Sequence, residues 1–182
     1  MDLNAWFDKG MSSETYIEAM TKNKDNLLHI YDKFVLPENV DYDNIANRQL
    51  RAIVLTEDWC GDAMLNVPIL LKIAEKTGIE VSFLLRDSNL ELMDQYLTNG
   101  KSRSIPIFIF IDPAGNEVAK WGPRAPEVQS FVDDARSKLP KQDDPAFEEK
   151  QKEMIADFTK TYRQDQTIWN AVFHSIMETI AK

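Results

Sequence analysis

The chain has 182 residues, 43% of them hydrophobic, which fits one globular domain, 1–182, with a full core rather than a disordered chain. Its formal net charge of −9 argues against nucleic acid as a partner, because phosphate binding depends on clustered Lys and Arg, and against anionic membrane surfaces. No apolar run approaches the roughly 18 residues that cross a bilayer, and "MDLNAWFDKG" lacks the marks of a secretory leader, so a cytoplasmic location is expected.

Residues 1 to 36 read as helical. Ser12 and Ser13 offer N-caps ahead of Tyr16, Ile17 and Met20, which follow at helical spacing. Asn23 or Asp25 can restart a second helix through Leu27, Leu28, Ile30, Tyr31 and Phe34, ending before Pro37. "PENVDYDN" reads as a polar loop or the start of a short helix. From Arg51 the pattern changes: "RAIVLTEDW" is a short apolar run with β-branched residues, the mark of a buried strand. "AMLNVPILLKIAEKTG" carries helical spacing and ends in Gly78, with Pro68 expected to kink that helix or reset its start.

"IEVSFLLRD" predicts a second strand. "SNLELMDQYLTNG" predicts a helix with Ser88 as N-cap, Glu91 in capping-box position and Gly100 at its end. "SIPIFIFID" and "EVAKW", joined by the turn "PAGN", predict an antiparallel hairpin, and "APEVQSFVDDARSKL" a closing helix. The order β-α-β-α-β-β-α implies an α/β fold, a mixed sheet with helices on both faces.

In the tail, Asp144 is placed as N-cap, Pro145 at the first helical position, and Glu148 and Glu149 in the first turn. Phe147, Met154, Ile155, Phe158 and Tyr162 form one apolar stripe. Trp169, Val172, Phe173, Ile176 and Ile180 form another, with "RQDQ" a break or register change between them. Such stripes serve core packing or a homodimer face.

Cys60 is the single cysteine, which excludes an internal disulfide and suits a reducing compartment. His29, His174 and Cys60 show no ligand spacing, so neither metal nor cofactor is expected. In "LTEDWCGDAML" Cys60 stands at a strand-to-helix turn. There the unpaired N–H groups and the helix dipole favour the thiolate, which is the nucleophile. Glu57, Asp58 and Asp62 oppose this. Surface carboxylates are solvated and screened, so the expectation is a moderately lowered pKa.

"DWCGDA" and the later "SIP", in that element order, resemble the thioredoxin superfamily over residues 48–139, about half the chain. "TEDWCGDA", "RD", "YLTNG", "RSIPIFIF" and "WGPR" are similar to a bacterial thioredoxin-like branch. Residues 1–47 and 140–182 are then helical extensions. The resemblance implies a thioredoxin-like mixed sheet flanked by helices, a cis Ile105–Pro106 peptide beside the sulfur, and Cys60 as the attacking thiol. It also implies a substrate surface of Trp59, Gly61, Ile105 and Pro106. Arg103 and Arg124 lie on loops that approach the motif, either to attract substrate carboxylates or to neutralise Glu57, Asp58 or Asp62. Arg86, next to Asp87, reads as structural.

The departures limit the chemistry. Ala63 replaces the second redox cysteine, Asp62 the usual proline, and Val54 the buried aspartate six residues before the first cysteine. Release of an intramolecular disulfide is ruled out, but a mixed disulfide with a protein disulfide or small thiol needs only one thiolate and access. The rival expectation is a non-catalytic binding module, with helical extensions that bury the motif or form a homodimer.

Overall fold

A computed structural model describes residues 1–182. Four strands form one mixed sheet in the order β2-β1-β3-β4: β1 (Arg51–Thr56), β2 (Glu80–Leu85), β3 (Ile107–Ile111) and β4 (Glu117–Trp121). β1 runs parallel to β2 and antiparallel to β3, and β3 and β4 make the hairpin. Every residue of β3, and every residue of β1 after Arg51, is buried. Alternate side chains point to opposite faces, so both faces of the sheet centre are covered. This is the mixed, helix-flanked sheet expected from the element order.

Nine helices surround the sheet: α1 (Leu3–Lys9), α2 (Ser13–Ala19), α3 (Lys24–Lys33), α4 (Tyr42–Ala46), α5 (Gly61–Thr77), α6 (Leu90–Met93), α7 (Pro126–Ser137), α8 (Phe147–Gln164) and α9 (Gln166–Ile180). α5 follows β1 directly and packs against α3, α4, α8 and α9, while α1 and α2 lie along β2. Buried side chains from all regions of the chain form one continuous core. No helix is long and apolar enough to cross a membrane.

The N-terminal region holds three short helices, with Ser12 and Asn23 standing at the starts of α2 and α3 as expected and α1 ahead of them. It breaks at Met11, whose N–H and C=O pair with Phe83 at 2.9 and 2.8 Å and so extend the edge of β2. Gly10 permits the approach, because a Cβ there would fall 1.9 Å from Ser82 Oγ. Of the two serines, Ser12 is the cap of α2, accepting from Thr15 N–H at 3.1 Å. Pro68 does not interrupt α5, which runs through it to Gly78 in the left-handed region. Burial of most of that helix outweighs the one backbone bond that proline removes.

The helix predicted from Ser88 to Gly100 is a 3-10 turn over Arg86–Ser88 followed by the single turn α6. Asn89, not Ser88, precedes α6, and its Nδ2 donates back to Leu85 O at 2.7 Å. Gly100, at φ +68°, belongs to a tight turn closed by Thr98 and Ser102. α8 starts at Phe147 rather than Pro145, because Asp144 Oδ1 accepts the Ala146 N–H at 2.8 Å in a turn of its own. The "RQDQ" break falls at Asp165, which caps α9. Ile155, assigned to the first stripe, is 54% exposed.

Candidate functional site around Cys60

β1 delivers the segment Glu57–Cys60 to the end of the sheet, and Cys60 occupies the N-cap of α5. Its Sγ accepts the Ala63 N–H at 3.4 Å and the thiol donates to the Ile105 carbonyl, also at 3.4 Å. The Ile105–Pro106 peptide bond is cis. Cys60, Ile105 and Pro106 therefore share one corner of the fold, with Gly61 opening α5 beside them. Cys60 is only 9% exposed. Trp59 is 46% exposed and carries the Arg86 guanidinium over its ring at 5.0 Å.

The thiol is less acidic than the sequence suggested. Burial pushes the Cys60 pKa up to about 11, and the Asp62 carboxylate adds to the rise. The Ala63 and Asp62 N–H groups and Arg124 pull the other way without prevailing. The expectation of a lowered pKa fails because the sulfur is buried, so the loss of hydration of its thiolate exceeds what a helix terminus returns.

Each acidic neighbour has a partner. Arg124 closes on Asp62 through Nε at 3.0 Å and Nη2 at 2.7 Å, the neutralising arrangement foreseen as one of its two roles. The Tyr162 hydroxyl, from α8, also donates to Asp62, at 3.0 Å. Asp58 accepts from Thr21 N–H at 2.8 Å, Thr21 hydroxyl at 3.2 Å and Lys22 N–H at 3.3 Å, which hold its carboxyl below the usual range. Asn23 Nδ2 donates to the Asp58 carbonyl at 3.0 Å. Glu57 accepts the Asp87 N–H at 3.0 Å.

Arg103 stands apart from the sulfur in its bonding: its guanidinium is committed to Asp94, at 2.7 and 3.0 Å. Its carbonyl, not its side chain, enters the neighbourhood of the site by accepting from Arg86 Nη1 at 3.0 Å. Val54 is fully buried in the position where a buried carboxylate was sought. The sequence carries no signal for the roles of Tyr162, Asn66 or the Thr21–Lys22 backbone: Tyr162 falls in a packing stripe, and Asn66 lies inside an apolar helical run.

A thioredoxin family model matches residues 10–136, and the chain belongs to that family. The match begins well before residue 48, so α2, α3 and α4 fall within it. No curated protein matches the chain. Among solved structures it is similar to a protein of unknown function from Pseudomonas aeruginosa, with 16% identity and a TM-score of 0.64 over 94% of this chain and 97% of that one. It is also similar to an HIV epitope-scaffold, with 15% identity and a TM-score of 0.65 over 98% of each. At such identities the likeness concerns the fold.

Proposed function

We propose that this thioredoxin-family protein carries out monothiol thiol–disulfide exchange at Cys60. The observation that carries the reading is the placement of Sγ at the N-cap of a 17-residue helix, within 3.4 Å of the carbonyl that precedes cis Pro106. Backbone there offers hydrogen-bonding groups to an extended peptide or a small thiol beside the sulfur. The Cys60 thiolate attacks one sulfur of a partner disulfide, the partner S–S bond breaks, and the departing thiolate takes a proton. An external thiol then attacks the partner's sulfur in the mixed disulfide, forming a new disulfide with it and releasing the Cys60 thiolate, so the number of disulfides is conserved and a further external thiol is needed for net two-electron reduction of the partner.

The raised pKa sets the pace. The thiolate fraction at neutral pH falls by more than the gain in nucleophilicity restores, leaving exchange slower than at an unperturbed thiol. With the full chain and glutathione disulfide at pH 8, intact mass is expected to show one reducible adduct on wild type and none on Cys60→Ser. Unmodified wild type after prolonged incubation contradicts the reading.

The burial of Cys60 and its raised pKa favour a second reading, a binding module that keeps the fold without catalysis. It predicts the unmodified outcome in the same experiment.

A further inference from the structure

Three consecutive residues after β4 connect the Cys60 helix to the strand that Pro106 opens. Gly122 has φ +127°, and a Cβ there would lie 2.2 Å from the Pro106 carbonyl oxygen, so the two backbones are in contact. The Pro123 carbonyl accepts from Asn66 Nδ2 at 2.9 Å. Asn66 is fully buried in α5, and its Oδ1 has no partner. A half-satisfied buried amide costs stability, so the one bond it makes points to a positional rather than a packing role. Arg124 then grips both oxygens of Asp62, while its Nη1 meets Gln129 Oε1 at 3.0 Å. Asp62 and Asn66 are one turn apart on α5, so the loop holds a single face of the helix just behind Cys60.

We propose that the Gly122–Arg124 loop is a clamp that holds Cys60 against the Pro106 strand, with Arg124 and Asn66 as positioning residues for exchange at Cys60. The inference rests on Cys60 being the reacting group. Arg124 both fixes the N-terminal turn of α5 and neutralises Asp62, the carboxylate that favours the thiol of Cys60. The charged and titratable groups around Cys60 are Asp62 on its own helix, Glu57 and Asp58 on the segment after β1, Arg124 on the clamp and, from α2, Tyr16, with Tyr162 of α8 bonded to Asp62. Without Arg124 the Asp62 charge faces the sulfur with no cation against it.

The single cysteine gives one resonance when labelled with carbon-13 at Cβ, so its titration is read directly, beside iodoacetamide alkylation rates and thermal unfolding. Arg124→Gln is expected to slow alkylation at pH 8 by about 3- to 10-fold and to raise the titration midpoint, because an unneutralised carboxylate disfavours the thiolate. Arg124→Lys is expected to restore part of the rate. The double variant Asp62→Asn/Arg124→Gln is expected to bring the titration midpoint back towards wild type, since no charge is then left uncompensated, but to leave exchange with glutathione disulfide at least about 3-fold slow, because the loop no longer grips the first turn of α5. Asn66→Ala is expected to slow exchange with glutathione disulfide about 3-fold or more at an unchanged midpoint. Wild-type midpoint and alkylation rate in Arg124→Gln would overturn the clamp, as would a double variant that exchanges with glutathione disulfide at the wild-type rate. A wild type that alkylates but never forms a mixed disulfide would instead overturn the exchange reading, because the alkylation and titration arms report on the clamp independently.

Discussion

Two N–H groups, of Asp62 and Ala63, favour the thiolate of Cys60, whereas burial and the Asp62 carboxylate favour the thiol. The balance has a consequence for stability. The folded-state pKa of about 11 lies above the unfolded value of about 8.5, so between them the folded chain binds more protons. The stabilisation is complete below the unfolded value and is lost as pH rises through about 11. The thermal midpoint of wild type is therefore expected to fall further between pH 8.5 and 10.5 than that of Cys60→Ala, measured by circular dichroism. Equal falls in the two proteins would place the thiol in a more hydrated setting. At Gly122 a side chain meets both the Pro106 carbonyl and a backbone conformation disfavoured for L residues. Gly122→Ala is expected to destabilise by more than about 2 kcal/mol in denaturant unfolding. At this scale Cys60, Ile105 and Pro106 were legible as neighbours through the resemblance to the thioredoxin superfamily, which implies a cis-proline beside the sulfur. The direction of the Cys60 shift was not legible. It depends on how deeply the sulfur is buried and on the Asp62 charge, which is set against Arg124, 62 positions away.

Among the elements, the α2–α3 connection acts as a latch on the motif. Asp58 receives two backbone N–H groups and a hydroxyl from Thr21 and Lys22, and its own carbonyl receives Asn23. Charge-assisted bonds of this type contribute about 1–2 kcal/mol in total once solvent competition is counted. Asp58→Ala is expected to lower stability by about that amount and to abolish slow hydrogen exchange at the Thr21 and Lys22 amides. Retained protection there would show that helix packing, rather than Asp58, orders the connection. Because the folded Asp58 pKa is depressed, its contribution is present above the unfolded value and lost as pH falls through the lower folded one. Long periodic segments such as α5 and α9 were readable, since their faces are buried over several turns. The segment after β2 was not: its helical spacing is real, but Asn89 turns back to Leu85 and Tyr96 is drawn to Glu117 at 2.6 Å, so tertiary bonds end α6 after one turn. Ser12 marks the start of α2 in the sequence, but the pairing of Met11 with Phe83, far along the chain, leaves no mark there.

Over the whole molecule, the regions read as extensions share the core of the sheet. α9 buries Trp169, Val172, Phe173, Ile176, Met177 and Ile180, and Trp121 of β4 donates to Ser175 at 2.8 Å. Tyr162 of α8 reaches the motif itself through Asp62. A chain ending after Leu139 would expose the apolar side chains of α5, α7 and β4 that α9 covers, and it is expected to lose cooperative unfolding in calorimetry. A sharp transition from that fragment would show the region 48–139 to be self-sufficient. The composition and strand order conveyed the class of fold, but not that α9 completes the core or that Tyr162 reaches Asp62 from the far end of the chain. The most direct measurement of exchange at Cys60 is the release of chromophore from an aryl disulfide by the full chain as a function of pH. One equivalent is expected from wild type and none from Cys60→Ser, with a rate that climbs by close to tenfold per pH unit from neutrality towards pH 10. No release from folded wild type, or release only as the chain unfolds, would contradict a working thiol in this site.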